Sequence, residues 1–267
     1  MGPQLQSSAA QLITDFGEQR VLAFFLVLAR LSPLFLLAPL FSSKMVPARV
    51  RGIVAVALAI GLSPVVSKGV TLPTGVMDVT WLVLKELLVG GAFAFAVGGL
   101  AAALSTAGAF IDTSIGFSYG SLVDPLTGTQ STVLAQAYSL VGMLIFIAIG
   151  GDGWVVQGLA RTYDMVGLDQ APALGRLVGG VDAVFGSIFI SAIEVAGPVL
   201  LALILTDAAF GVVSRVVPQL NVFAVGFPAK IVVGLLLVTA TLPFVAGWIS
   251  SELQQDVGAA LQAIRVA

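Results

Sequence analysis

Long apolar segments alternate with short polar links along most of this chain. Each segment reaches or approaches the roughly 20 apolar residues that a helix needs to cross a bilayer. None shows the strict apolar–polar alternation that is typical of a barrel strand. The pattern predicts an all-α integral membrane protein, with prolines that kink its helices. The predicted helical segments are residues 21–41, 52–66, 79–104, 133–149, 183–211 and 222–249.

Several charged residues lie inside these apolar segments rather than at their ends. A charge within a membrane span is costly and is rarely kept without a use. Lys85 and Glu86 are adjacent, so on a helix they point about 100° apart, and we expect each to find a partner on another segment. The charged residues within the segments are Arg30, Lys85, Glu86, Glu194, Asp207 and Lys230.

Opposite charges in the apolar segments suggest specific pairs. We expect Arg30 to pair with Glu86 or Glu194. We expect Lys230 to pair with Asp207. Such pairs would hold helices in register or would line a path for an ion or substrate. Alternatively, the charged groups of the long side chains would extend to the membrane interface.

Composition excludes several classes of site. The chain is 58% hydrophobic and 10% charged, whereas soluble domains carry about 25% charged residues. It contains no cysteine and no histidine, which excludes disulfides, thiolate metal sites and a Ser–His protease. A net charge of -2 gives no reason to expect a nucleic acid partner. We expect no metal, no cofactor and no catalytic activity.

The segment at 105–132 differs from the rest, because it is dense in Ser, Thr and Gly and contains no Lys or Arg. One interpretation is a flexible connecting loop, since Gly residues and an Asp-Pro step favour turns. The other is a mobile plug that is apolar enough to seal a pore and glycine-rich enough to move. The candidate plug residues are Gly116, Phe117, Ser118, Tyr119, Gly120, Leu122, Val123, Asp124 and Pro125.

Two glycine-containing sites predict local geometry. Gly91 and Gly98 are seven residues apart, so they share a helix face and would let a neighbouring helix approach closely. Residues 150–153 read GGDG and are not followed by the Lys-Ser/Thr of a phosphate-binding loop. We interpret them as the end of a span with a tight turn, followed by a more soluble link at 154–182.

Three sequence runs together resemble the FliR family of flagellar export-gate subunits, whose injectisome counterpart is SctT. They are LSPLFLLAPLFSSKMVPARVRGIVAVALAIGLSP at 31–64, GFSYGSLVDP at 116–125 and RVVPQLNVFAVGFP at 215–228. The similarity covers nearly the whole chain in order. The resemblance implies a core subunit of the flagellar type III protein export gate, in the bacterial inner membrane and the flagellar basal body. It also implies that 105–132 contains the plug of the export pore.

The resemblance further implies an internal organisation of the single domain 1–267. Residues 1–182 would be a FliP-like part, 183–249 a FliQ-like helical hairpin and 250–267 a C-terminal tail. The compact basic links then place the hairpin tip in the cytoplasm. The tip residues are Arg215, Pro218, Gln219 and Asn221.

The implied partners are FliP, FliQ, FlhB and FlhA within a hetero-oligomeric gate, together with unfolded exported proteins and the lipid membrane. Two alternatives stay open at this point. One is an export-gate subunit of a virulence injectisome. The other is a secondary solute transporter in which Glu194, Asp207 and Lys230 couple ion and substrate movement.

Overall fold

The computed structural model describes residues 3–38, 41, 46–117, 133–219 and 221–264. Within these ranges the chain is helical and contains no strand. The helices are α1 (Pro3–Leu31), α2 (Leu34–Leu37), α3 (Ala48–Val66), α4 (Val76–Ile115), α5 (Val133–Ala148), α6 (Gly151–Met165), α7 (Leu174–Val216) and α8 (Val222–Ile264).

The lengths and the hydropathy of the helices confirm the prediction of an all-α membrane protein. Among the described residues, five stretches are long and apolar enough to cross a bilayer. They are Gly17–Leu37, Ala48–Val66, Val76–Ile115, Leu174–Val216 and Ala224–Ile264. Helices α5 and α6 meet at a bend of 74° and add a sixth if the two form one broken span. Gly150 lies at that bend with a φ of 70°, a backbone conformation that glycine adopts without strain.

The link predicted at 154–182 is wrong in its first part, because α6 is a helix through Met165. Its buried residues Val155, Leu159 and Thr162, together with Val166 directly after its end, recur every three or four positions, which is the spacing of one helix face. Polar residues between them lower the average hydropathy and hide that face from a search for continuous apolar runs.

Helix α8 continues to Ile264, through most of the predicted C-terminal tail at 250–267. Leu253, Val257, Ala260 and Ile264 are buried along one face of this extension. A Cβ atom placed at Gly158 of α6 would lie 2.8 Å from Val257 and 2.9 Å from Phe93 of α4. The end of α8 therefore packs against α6 beside Phe93.

The chain divides into two compact units. Unit 1 comprises Met1–Gly98, Asp152–Ala183 and Gln255–Ala267, and unit 2 comprises Gly99–Gly151 and Val184–Gln254. In unit 1, α4 and α6 run antiparallel, because Phe93 lies near Gly158 and Lys85 bonds to the carbonyl of Gly167.

Unit 2 contains two antiparallel helix pairs. The end of α4 packs on α5, where Gly108 lies against the backbone of Ala135 and Gly142 lies against the side chain of Leu104. Helices α7 and α8 form a hairpin, since their contacts pair residues in descending order along α8. These contacts are Ser191–Glu252, Glu194–Trp248 and Asp207–Lys230.

Candidate functional site

A buried ionic cluster, formed by Arg30, Lys85 and Glu86, lies inside unit 1. The side chains of Arg30 and Glu86 are 0% exposed and that of Lys85 is 2% exposed. The Arg30 guanidinium donates from Nε to Glu86 Oε2 at 2.5 Å and from Nη2 to Oε1 at 3.0 Å. This two-point geometry is the strong form of an arginine–carboxylate pair. Of the two partners expected for Arg30, Glu86 is the one that it contacts in the structure.

Lys85 and Glu86 each have a partner on another segment, as expected, and Lys85 Nζ also lies 2.9 Å from Glu86 Oε1. The four-carbon stem of lysine is long and flexible enough to reach the carboxylate of its neighbour. The same ammonium donates to the backbone carbonyls of Gly167 at 3.0 Å and Leu168 at 2.7 Å. The cluster has two cations and one anion, and these carbonyl oxygens partly compensate the second positive charge.

The C-terminal end of α6 completes the cluster around Arg30. Nη1 donates to Thr162 Oγ1 at 3.2 Å, and Nη2 donates to the Val166 carbonyl at 3.0 Å. The guanidinium carbon lies 3.9 Å from the centre of the Tyr163 ring, within the range of a cation–π contact. A helix C-terminus presents unpaired carbonyls and partial negative charge, so it suits two neighbouring cations. The sequence reasoning missed this contribution.

Close packing of α1 on α4 positions the cluster. The backbone of Arg30 lies against Gly90, where an added Cβ atom would overlap the Arg30 carbonyl oxygen. Gly98 similarly faces the Leu37 carbonyl, at 2.8 Å from an added Cβ, whereas Gly91 has open space. The prediction that Gly91 is a close-contact residue is therefore wrong for this chain, and Gly90 has that position instead.

Polar residues in the hairpin of unit 2 are arranged differently. Lys230 Nζ donates to Asp207 Oδ2 at 2.8 Å, as the expected pair requires. Their side chains are 18% and 57% exposed, respectively, so the pair is not buried by this chain. Glu194 is also exposed and accepts a bond of 3.2 Å from Trp248 Nε1.

The four predicted residues of the hairpin tip are exposed. Arg215 lies in the last turn of α7, and Pro218 and Gln219 follow it in the turn. Asn221 Oδ1 accepts a bond of 3.2 Å from the amide of Ala224 in the first turn of α8. Asn221 is thus an N-cap, a position at which asparagine is preferred.

Only the beginning of the candidate plug lies within the described residues. Gly116 has a φ of 104° and follows the end of α4. The Asp112 carbonyl accepts the amides of Gly116 at 3.0 Å and Phe117 at 3.1 Å. The predicted plug residues Ser118, Tyr119, Gly120, Leu122, Val123, Asp124 and Pro125 lie outside the described residues.

Asp112 is a functional candidate that the sequence reasoning missed. Its side chain is fully buried, and Oδ2 accepts the amide of Leu134 in the first turn of α5 at 2.9 Å. Its carbonyl and its carboxylate therefore hold residues on both sides of 118–132. Oδ1 has no hydrogen-bond partner in the described part of the chain. An acidic residue near the end of an apolar helix was the available signal.

No set of three or more acidic, histidine or cysteine residues in the described ranges forms a metal-binding group. Comparison with known proteins identifies one family: bacterial export proteins, family 1, matches residues 21–255. The flagellar biosynthetic protein FliR of Bacillus subtilis (strain 168) is 34% identical over 220 residues, which cover 80% of this chain and 84% of that protein.

Further relatives come from two kinds of system. The flagellar biosynthetic protein FliR of Escherichia coli (strain K12) is 28% identical over 84% of this chain and 85% of that protein. The surface presentation of antigens protein SpaR of Shigella flexneri is 25% identical over 79% of this chain and 82% of that protein. The family match covers most of the chain, and the Bacillus relative is similar over most of both lengths. The chain therefore belongs to the bacterial export proteins, family 1, the FliR family.

Proposed function

We propose that this chain is a core subunit of the flagellar type III protein export gate and is needed for flagellum assembly. The observation that carries the proposal is family membership together with 34% identity to a flagellar biosynthetic protein over 80% of the chain. The apolar helices make it a multi-pass membrane protein. We assign it to the bacterial inner membrane, within the flagellar basal body.

The proposed partners are FliP, FliQ, FlhB and FlhA. Support for a neighbouring subunit comes from the hairpin of unit 2, which exposes large apolar side chains on both helices. Examples are Leu201 (60%), Ile204 (63%), Leu205 (61%), Val232 (57%) and Leu236 (66%). Asp207 is exposed among them. A carboxylate facing lipid would be costly, so a protein partner suits this surface better than acyl chains do.

The role that we propose is passive rather than catalytic: the chain shapes a pore for unfolded flagellar proteins, and residues 116–125 plug it. Support comes from Asp112, which bonds to residues on both sides of 118–132. Deleting 118–123 should let ions leak across the inner membrane of cells that carry the assembled complex. Deleting the same number of residues from the N-terminus is the control. Unchanged permeability in the assembled deletion complex would contradict the plug.

A deletion of the gene in the source organism tests the proposed function. Motility and mass spectrometry of secreted proteins are the readouts. We expect loss of extracellular flagellin and hook proteins, restored by the intact gene.

The similarity to SpaR, 25% identical over 79% of the chain, supports a second candidate, an injectisome subunit. Loss of secreted effectors with normal motility would favour that assignment. An unchanged secretome would contradict both assignments and favour a solute transporter.

A further inference from the structure

Helix α3 is the least enclosed span in the described part of the chain. Its buried share is 11%, whereas that of the span in α4 is 56%. Within unit 1 it lies against α1 and buries Ala55 and Ala59 on one side. The opposite side of α3 is exposed, so it is open to another molecule.

The first turn of α3 is basic. Arg49 and Arg51 both lie in it, and α3 contains no acidic residue. No hydrogen bond or ion pair within the described ranges involves either side chain, and Arg51 Nε is buried without a partner. The two residues are about 3 Å apart along the helix axis, so their charges act at nearly the same depth in the membrane. This end of α3 therefore attracts an anion that the described residues do not supply.

An apolar face continues from Arg49 along α3. Ile53, Val56 and Ile60 follow it with the spacing of one helix face, and they are 69%, 39% and 59% exposed. The residues at 52–62 are all apolar. The rise from Arg49 to Ile60 is about 16 Å, close to the roughly 15 Å depth of one hydrocarbon leaflet. A lipid whose headgroup contacts Arg49 would therefore extend its acyl chains along this face as far as Ile60.

The side chains on this face leave a shallow groove. Its floor is Ala57, which is exposed. By helical spacing, Ile53 and Ile60 border the floor on one side and Val54 borders it on the other. Gly61 extends the floor, since an added Cβ atom there would meet nothing within 4 Å. A narrow apolar groove of this kind fits a flexible acyl chain.

The distribution of charge favours a lipid over a protein as the occupant of this face. The hairpin of unit 2 exposes Asp207 (57%) among apolar side chains, and a carboxylate in contact with acyl chains is costly. Helix α3 has its charges only in its first turn, and the ends of spans lie at the level of the lipid headgroups. Basic side chains at that level bind anionic headgroups.

We propose that the exposed face of α3 binds an anionic phospholipid. Its phosphate lies at Arg49 and Arg51, and one acyl chain follows the groove over Ala57 toward Ile60. The proposal does not depend on the export function, because it rests on the charge and shape of α3. It assigns this face of unit 1 to lipid, and the exposed hairpin of unit 2 to protein partners.

The first test uses the full-length protein in a neutral detergent. Native mass spectrometry measures the binding of phosphatidylglycerol and, separately, of phosphatidylcholine. The double variant Arg49→Gln, Arg51→Gln should bind phosphatidylglycerol roughly 10- to 30-fold more weakly, because two interfacial cations are removed. The control Arg161→Gln, Arg215→Gln removes the same charge from exposed positions on α6 and α7, and it should bind as the unmodified protein does. Equal binding by both double variants, or equal affinity of the unmodified protein for the two lipids, would overturn the proposal.

A single variant guards against a folding defect in the double variant. Arg49 is exposed, whereas Arg51 is partly buried, so Arg49→Gln makes little demand on packing. It should weaken phosphatidylglycerol binding about 5-fold and keep the thermal stability of the unmodified protein. Arg49→Lys preserves the charge and should retain most of the binding. Unchanged binding by Arg49→Gln would count against a headgroup at this position.

A photo-cross-linker incorporated at position 53 identifies the occupant in cells. Ile53 is 69% exposed, so the cross-linker reaches whatever covers the groove. We expect an adduct with a phospholipid, detected by mass spectrometry of the purified protein. An adduct with another protein in place of the lipid would overturn the proposal, by assigning this face to a neighbouring subunit.

Discussion

The Arg30–Glu86 pair of unit 1 and the Asp207–Lys230 pair of unit 2 both join opposite charges within apolar helices. The first is fully buried, and α6 completes its hydrogen bonding. The second leaves Asp207 57% exposed, and it has one short contact at 2.8 Å. A buried charge is strongly destabilising when its partner is removed, whereas an exposed pair contributes little.

This difference separates two uses of intramembrane charge. Unit 1 satisfies its own charges, so they fix the register of α1, α4 and α6 within the chain. The hairpin of unit 2 presents Asp207 on an apolar surface, so this carboxylate is accessible to another molecule. Substitutions at the two pairs should therefore differ in their cost to stability.

Glu86→Ala should have the largest effect. It leaves Arg30 and Lys85 buried without their common anion, which should cost about 3–5 kcal/mol of unfolding free energy. Denaturant or thermal unfolding in detergent measures the loss. Asp164→Ala is the matched control, because it also removes a carboxylate but from an exposed position on α6, and it should change stability by less than about 0.5 kcal/mol. Equal losses of unfolding free energy in the two variants would show that the chain does not bury and satisfy this cluster by itself.

Adjacent glycines on α4 provide the second test. Gly90→Ala forces a Cβ atom into the Arg30 carbonyl, where neither backbone can move freely, and should cost up to about 3 kcal/mol. Gly91→Ala meets open space and should stabilise the isolated protein by up to about 1 kcal/mol, because alanine favours a helix. Thermal unfolding of both variants checks the contrast, and similar melting temperatures would contradict it.

Asp112→Ala should have an intermediate effect. It removes the acceptor of the Leu134 amide at the start of α5, which should cost about 1–2 kcal/mol. Hydrogen exchange of the first α5 amides should become faster. Asp112→Asn keeps an oxygen acceptor and should lose less. Exchange that is unchanged in both variants would mean that Asp112 does not hold this end of α5.

Some features of the site were predictable because the alternatives were few. An apolar helix contains so few charges that opposite charges have almost no choice of partner. The Asp207–Lys230 pair was therefore proposed correctly from residue types alone, and Arg30–Glu86 was one of the two pairs proposed for Arg30. The bend at Gly150 was predictable for a similar reason, since a run of glycines after an apolar segment ends a helix.

Other features depend on contacts that residue types do not encode. The carbonyls of Val166, Gly167 and Leu168 bind the buried cations, but every residue has a carbonyl, so no sequence signal marks them. The choice of Gly90 over Gly91 depends on the rotation of α4 against α1. The exposure of Asp207 depends on which helices surround it, and residue spacing alone does not specify them.

The smallest effect on stability is expected in the hairpin. Asp207→Ala breaks an exposed pair and should change the unfolding free energy of the isolated protein by less than about 1 kcal/mol. If a partner subunit binds the exposed carboxylate, the same variant should nevertheless reduce motility and the amount of partner that co-purifies. Unfolding in detergent, swimming assays and affinity purification from membranes measure the three quantities. A large loss of stability would mean that the pair is structural, like the buried Arg30–Glu86 pair of unit 1.

The double variant Asp207→Lys, Lys230→Asp sharpens this test, because it preserves the pair and reverses only its direction. If the pair serves only to join α7 and α8, the reversed pair should restore motility and co-purification. We expect no restoration, since the exposed group at position 207 would then be a cation and would repel a partner that binds a carboxylate. Full restoration would show that the hairpin needs an ion pair but that no neighbouring protein recognises its orientation.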